Sequence, residues 1–425
     1  MAGGSAVYDL RTKVATELRS GILPFWLKNA IDEECGGFRG RIANDLTIDR
    51  LAGKGLILNA RILWTFSKAY SVYRDPIYLA AARRAFDYLC SHFWDDEFGG
   101  VYWMVDPLGR PLDTRKRIYG QAFTIYALAE YGHATGEPQA IDRAMSLVAQ
   151  IELAGHDSEH HGYFETYERD WTLAVDQRLS EVDLDEKKSM NTHLHMLEAY
   201  ATLLRHHEDV TVRFRLRELI EVFLKYIVNS ATHHFILFFD DEWHPRSRKI
   251  SFGHDIEGSW LLCEAAEVLG DRDVLVRVRA ETVKMAQAVY EQGLDTDGGL
   301  LYEADESGNG AIEIVDSDKH WWPQAEAVVG FLNAYELSGE PHFLEAASKS
   351  WTFIEEHIVD HTFGEWFWLV SRAGVPDREQ DKVGPWKCPY HNSRTCFEVM
   401  ERLDKLDRLG RLSKTESEES PEKAR

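Results

Sequence analysis

Cysteine is scarce in this sequence. The five in 425 residues, Cys35, Cys90, Cys263, Cys388 and Cys396, are odd in number and scattered, with no Cys-x-x-Cys pair. That pattern excludes a disulfide framework and offers no zinc ribbon or redox centre, so free thiols in a reducing compartment are expected. Basic charge is also short: 48 Lys and Arg stand against 71 Asp and Glu, a formal net charge of −23. Binding a phosphate backbone needs a net basic face, so no nucleic-acid partner is expected. The basic runs 114–117 and 245–249 are short and isolated, and read as solvated loop charges. Long apolar runs are missing too. No stretch approaches the roughly 18 to 20 uncharged residues of a membrane span, and Met1 to Arg11 lacks the hydrophobic run of a signal peptide. The expectation is a cytoplasmic monomer with no membrane partner. Phosphate-loop and dinucleotide fingerprints are absent, because the Gly-Gly segments run into aromatic residues rather than into a helix bearing Lys-Ser/Thr.

What is present is a repeat. Glycine followed by aromatic residues recurs at Gly36-Gly37-Phe38, Gly99-Gly100-Val101-Tyr102-Trp103, His161-Gly162-Tyr163-Phe164, Gly298-Gly299-Leu300-Leu301-Tyr302 and Phe363-Gly364-Glu365-Trp366-Phe367. One gap is about twice the others, and near its middle Phe238-Phe239-Asp240-Asp241-Glu242-Trp243 reads as a divergent copy. The chain therefore divides into six units of about 60 to 75 residues. In each, an amphipathic helix leads through the glycine-aromatic segment into a second helix. The first type covers Tyr8 to Trp26, Pro76 to Phe93, Pro138 to Glu152, Val210 to Val228, Asp273 to Tyr290 and Pro341 to His357, each with one wet face. The second type covers Gly55 to Tyr73, Tyr119 to His133, Asn191 to His206, Gly253 to Val268, Trp322 to Leu337 and His391 to Leu406. These are richer in Ala, Leu and aromatics and read as buried on most sides. Six such pairs predict an all-α fold, an (α/α)6 barrel, over 1–410. An open superhelix is the alternative. The Ser/Glu/Lys-rich stretch 411–425 has no apolar periodicity and reads as a disordered tail.

Polar residues cluster at the N-terminal ends of the second-type helices: Asn59 and Arg61, Tyr119 and Gln121, Asn191 with His193 and His195, His254 with Glu257, Trp322 with Gln324 and Glu326, and His391 with Asn392 and Arg394. In a closed ring these ends converge on one mouth. His193 and His195 lie about 200° apart on a helix, so only one can face the axis. His254 and Glu257 share a face, which suits either a carboxylate that orients an imidazole or an ordinary surface pair. No helix offers two His at i, i+4, so metal catalysis is not expected. Trp321, Trp322, Trp366, Trp368 and Trp386 crowd the last two units, either as core or as stacking surfaces for a sugar ring. Asp183, Glu257 and Glu326 could serve a glycoside hydrolase. Histidine, however, is the group that repeats, and it suits proton abstraction next to a carbonyl, with Arg61 holding the enediolate charge.

The segments Asn59-Ala60-Arg61-Ile62-Leu63-Trp64, Ser189-Met190-Asn191-Thr192-His193-Leu194-His195, Phe252-Gly253-His254-Asp255-Ile256-Glu257, His320-Trp321-Trp322-Pro323-Gln324-Ala325-Glu326 and Trp386-Lys387-Cys388-Pro389-Tyr390-His391-Asn392 resemble, in order, those of the cellobiose 2-epimerases. These belong to the wider N-acylglucosamine 2-epimerase superfamily. The resemblance implies C2 epimerisation of the reducing-end glucose of a β-1,4-linked disaccharide, with no cofactor. It implies His254 and His391 as the acid/base pair and His195 assisting ring opening. Arg61 and Tyr119 would hold the enediolate, and Glu257 and Glu326 would tune the histidines. Trp321, Trp322, Trp386, Asn191 and Asp183 would bind the sugars. A monosaccharide isomerase or epimerase of the same superfamily is the nearest alternative.

Overall fold

The two helix types separate into two concentric rings. A computed structural model describes residues 3–306 and 311–410, with side chains from Asp9 onward. In chain order the pairs are α1 (Gly3–Thr16) and α2 (Leu23–Asn29) with α3 (Leu56–Tyr73), α4 (Pro76–Tyr88) with α5 (Ile118–Thr135), and α6 (Pro138–Ala154) with α7 (Met190–His206). They continue as α8 (Val210–Val222) with α9 (Phe252–Leu269), α10 (Arg272–Gln292) with α11 (Trp321–Ser338), and α12 (Pro341–Phe353) with α13 (Tyr390–Arg408). The second member of each pair packs against its counterparts in the units before and after, and α13 meets both α11 and α3. The ring is closed, an (α/α)6 barrel rather than a superhelix. Its core lies between the rings, where α5 is buried along almost its whole length and α6 buries only the stripe Ala140, Ala144, Leu147, Val148 and Ile151. Gly136 and Gly339 end their inner helices in the left-handed region, with Pro138 and Pro341 opening the next outer ones. Among the described residues no helix is long and apolar enough to cross a membrane. The stretch read as a disordered tail lies outside the described residues.

π-helical turns at Glu17–Ile22, Leu89–Phe93, Phe223–Ile227 and Ile354–Ile358 interrupt or end four outer helices. Periodicity alone does not register a single widened turn. Each outer helix then enters a short hairpin closed by one bridge: Ile31 to Phe38, Trp94 to Val101, His156 to Tyr163, Val228 to Phe235, Leu294 to Leu300 and Val359 to Trp366. The fourth copy of the repeat is therefore Thr232-His233-His234-Phe235, not Phe238 to Trp243. His233 takes φ +62° where four other units carry glycine, so composition hides the copy while the backbone keeps it. Phe238–Phe239 is instead a strand that pairs with Lys188–Ser189.

Buried ion pairs tie these hairpins to the strands that lead into the inner helices. Lys54 meets Asp32 at 2.8 Å, Lys116 meets Asp95 at 2.8 Å, Lys188 meets Asp157 at 2.7 Å and Lys319 meets Asp295 at 3.2 Å. The fourth unit has Asn229 and Ile250 at the matching places, so both charges are lost together. No stranded charge remains there, which is the arrangement that avoids a large desolvation penalty.

Candidate active site

Four inner helices, α5, α7, α9 and α11, each direct two sets of polar side chains to different neighbours. The fourth residue of the helix reaches back to the hairpin behind it. Gln121 accepts from the Val101 N–H at 2.9 Å, His193 Nε2 from the Tyr163 N–H at 2.9 Å, Asp255 from the Phe235 N–H at 2.7 Å and Gln324 from the Leu300 N–H at 2.6 Å. Residues at the second, third and sixth positions instead meet one another at the mouth. His391 Nδ1 is 2.7 Å from Glu326 Oε1, and Trp322 lies 4.7 Å from the His254 ring and 5.6 Å from the His391 ring. His195 packs edge-on to Tyr119 at 5.0 Å, with its Nδ1 2.9 Å from Glu198. Arg61 donates to the Tyr119 hydroxyl at 3.0 Å, and its guanidinium stacks over Phe123 at 4.2 Å and Tyr390 at 4.7 Å. Trp386 stands 5.8 Å from both Tyr119 and Trp103. The half-buried Asn191 has an unpartnered carboxamide oxygen.

Several expected roles shift. Glu257 does not bond to His254. Arg394 draws its carboxylate away to 2.6 Å, and His254 Nδ1 pairs with Ser251 Oγ at 2.8 Å. Trp321 is a wall rather than an open platform, since Trp368 lies 4.8 Å away and the Lys387 ammonium covers the ring at 5.2 Å. Trp366 is core, fully buried with its indole N–H donating to Glu17 at 2.9 Å. Asp183 sits half-buried on the loop after the third hairpin, accepting from the Ser180 N–H and hydroxyl at 2.8 Å each. A cavity of about 670 Å³ beside α4 lies on the outer surface and shares no residue with this set.

The model of the N-acylglucosamine 2-epimerase family matches residues 36–394, which include every one of these side chains. The chain belongs to that family. This epimerase is 44% identical to a cellobiose 2-epimerase of Bacteroides fragilis over 391 residues, 92% of this chain and 98% of that one. The solved cellobiose 2-epimerase of Bacillus thermoamylovorans is 39% identical with a TM-score of 0.87, covering 93% of this chain and all of that one. That of Spirochaeta thermophila is 41% identical with a TM-score of 0.85, covering 94% and 98%.

Burial sets the charges in the epimerase's site. It pushes His254 down to about 3, helped by the nearby His195, and drives His391 well below the usual imidazole range, helped by Arg61 and Arg394. Both are neutral imidazoles at pH 7. Burial and the Glu326 charge raise Glu257 to about 7, and burial raises Glu326 against the pull of Arg394. Glu198 goes the other way: burial works to raise it, but Arg394 and His195 hold it at about 2. Glu257, Glu326 and His391 bring three possible ligand atoms within 4.8 Å of one another. The Arg394 guanidinium already bonds to both carboxylates at 2.6 Å, so it fills the place a cation would take.

Three site residues, Glu198, Tyr390 and Ser251, carry no assignment from the sequence, and neither does the role of Arg394. Glu198 carried a signal, since His195-x-x-Glu198 has the same spacing as His254-x-x-Glu257. Tyr390 Oη and Arg394 converge on Glu198 from the far end of the chain, a contact across about 190 residues that no local pattern reports.

Proposed function

We propose that the chain reversibly epimerises C2 of the reducing-end glucose of a β-1,4-linked disaccharide, turning cellobiose into glucosyl-mannose and lactose into epilactose without a cofactor. The observation that carries this reading is Arg61. It is 3% exposed and permanently charged, its Nε–H has no partner, and among the described residues it has no carboxylate. A buried cation left without an anion favours a reaction that creates one.

His195, oriented by Glu198, moves the proton between O1 and O5 as the sugar ring opens. A neutral imidazole then takes the C2 proton. The C–H electron pair forms the C1–C2 double bond and the carbonyl pair moves onto O1, where Arg61 and Tyr119 hold the enediolate oxygens. The second imidazole returns a proton to the opposite face of C2. His254, with Ser251 on Nδ1, and His391, with Glu326 on Nδ1, are the two imidazoles. When His391 gives up its Nε2 proton, Nδ1 recovers one through the Glu326 carboxyl 2.7 Å away, in the form of the site in which Glu326 is the protonated acid. Trp322 and Trp386 stack on the two sugar rings and Asn191 binds a hydroxyl.

Incubation with cellobiose, lactose, glucose and mannose tests the substrate, the expected product being the mannose-ended disaccharide. A glycosidase would release free glucose. His254→Ala and His391→Ala should each lose epimerisation by about 100-fold or more with the circular dichroism unchanged. A folded variant with near-normal turnover removes that histidine from the acid/base pair.

A further inference from the structure

The third unit carries a cluster on its outer side that the sugar chemistry does not use. His156 follows the end of α6, His161 lies in the hairpin, and Glu218 comes from α8. His156 Nε2 is 2.6 Å from Glu218 Oε1, His161 Nδ1 is 3.1 Å from Glu218 Oε2, and all three ligand atoms fall within 4.8 Å of one another. We propose that His156, His161 and Glu218 form a divalent transition-metal site, best suited to Zn2+, which pins α8 to the third hairpin.

Two neutral imidazoles and one carboxylate are the ligand set that borderline-soft metals take, and hard cations such as Mg2+ do not. Bonds of about 2.0 Å meeting at tetrahedral angles put ligand atoms about 3.3 Å apart, so the two His–Glu218 spacings of 2.6 and 3.1 Å need only sub-ångström adjustment and the two imidazoles, within 4.8 Å, at most about 1.5 Å. His156 and Glu218 side chains are 5% and 13% exposed and His161 54%, which leaves a solvent path and a fourth position for water. Arg215 bonds to Glu218 Oε2 at 3.0 Å but also holds Glu152 at 2.5 Å, so it keeps a partner when Glu218 turns to a metal.

The backbone supplies a second, independent observation. His161 takes φ +66° at the position where the first, second, fifth and sixth units carry Gly36, Gly99, Gly298 and Gly364 in the left-handed region. A β-substituted residue is strained there, and the His161 ring at this point turns its Nδ1 to Glu218. The fourth unit provides an internal control. His233 is also left-handed and pairs with Glu281 at 2.6 Å, but Val228 stands where His156 would, so the second nitrogen is missing.

The test titrates chelator-treated protein with Zn2+ by calorimetry and with Co2+ by visible absorption. The wild type should take one equivalent that His161→Gly and Glu218→Gln each weaken by about ten-fold or more, while His233→Gly leaves it unchanged. His161→Gly should also melt no lower than wild type without metal, since glycine relieves the turn, and should lose the rise in melting temperature that Zn2+ gives the wild type. His161→Asn, which tolerates the same backbone, repeats the test should the glycine variant fold poorly. Equal Zn2+ affinity in wild type and the His161 variants, or no binding by wild type at about 100 μM Zn2+, overturns the proposal.

Discussion

Two guanidinium groups flank the Tyr390 ring, Arg61 at 4.7 Å and Arg394 at 4.3 Å, yet their surroundings are opposite. Arg394 holds three carboxylates, Glu198, Glu257 and Glu326. Arg61 has a phenol and a thiol as partners and a free Nε–H. The same residue type at the same depth therefore does two jobs. Around Arg394 the charge is consumed in holding acids that would otherwise repel one another, which fixes the supports of His195 and His391. Around Arg61 the charge is left over, which suits a reaction that develops negative charge beside it.

Replacing each arginine by methionine should separate the two jobs. Arg61→Met should lower turnover by about 1,000-fold while leaving the melting temperature unchanged or higher, because it strands no partner. Arg394→Met leaves buried carboxylates without their cation and should destabilise the fold by about 3–5 kcal/mol, seen as a lower denaturant midpoint. If Arg394→Met keeps full stability, or Arg61→Met keeps turnover, the contrast between the two sites is wrong.

The carboxylates offer a finer division. Glu326 touches His391 Nδ1, whereas Glu257 is 3.9 Å from it. Glu326→Gln cannot pass a proton and should reduce kcat by about 100-fold. Glu257 keeps its proton up to about pH 7 because of burial and the Glu326 charge. The folded state then binds a proton that the unfolded chain releases above about 4.5, so this group's stabilising contribution fades as pH rises from there through 7. Glu257→Gln mimics the neutral form and should flatten that decline in melting temperature, with turnover at pH 6 little changed. A Glu257→Gln variant as inactive as Glu326→Gln would place both acids in the proton path.

The smallest effect is expected at the rim. Trp386→Ala removes one stacking surface, of about 0.5–1.5 kcal/mol, and should raise KM for cellobiose by up to about ten-fold. Activity on monosaccharides should change less if the first sugar stacks on Trp322 as proposed.

Helix periodicity and the stop and start residues make the ring readable from the sequence, since alternating wet and buried helices in six repeats leave few ways to hide apolar surface. The site was readable only in part. His193 and His195 were separable by helical geometry, and the structure puts His193 on the hairpin and His195 against Tyr119. Two His-x-x-Glu pairs were not separable, because spacing shows which groups can meet and not which competitor wins. At Glu257 the winner is Arg394, on another helix, and at His254 it is Ser251, the residue just before α9. The fourth repeat is hidden for a similar reason: glycine marks the left-handed turn in four units, and His233 occupies it here.

The account rests on a C2 proton that leaves to one imidazole and returns from another. Cellobiose converted in D2O should give glucosyl-mannose carrying deuterium at C2, measured by proton NMR at early conversion, with Arg61→Met giving neither product nor exchange. A mannose-ended product that retains the original C2 hydrogen would contradict it, since two bases on opposite faces cannot return the proton that the first one took.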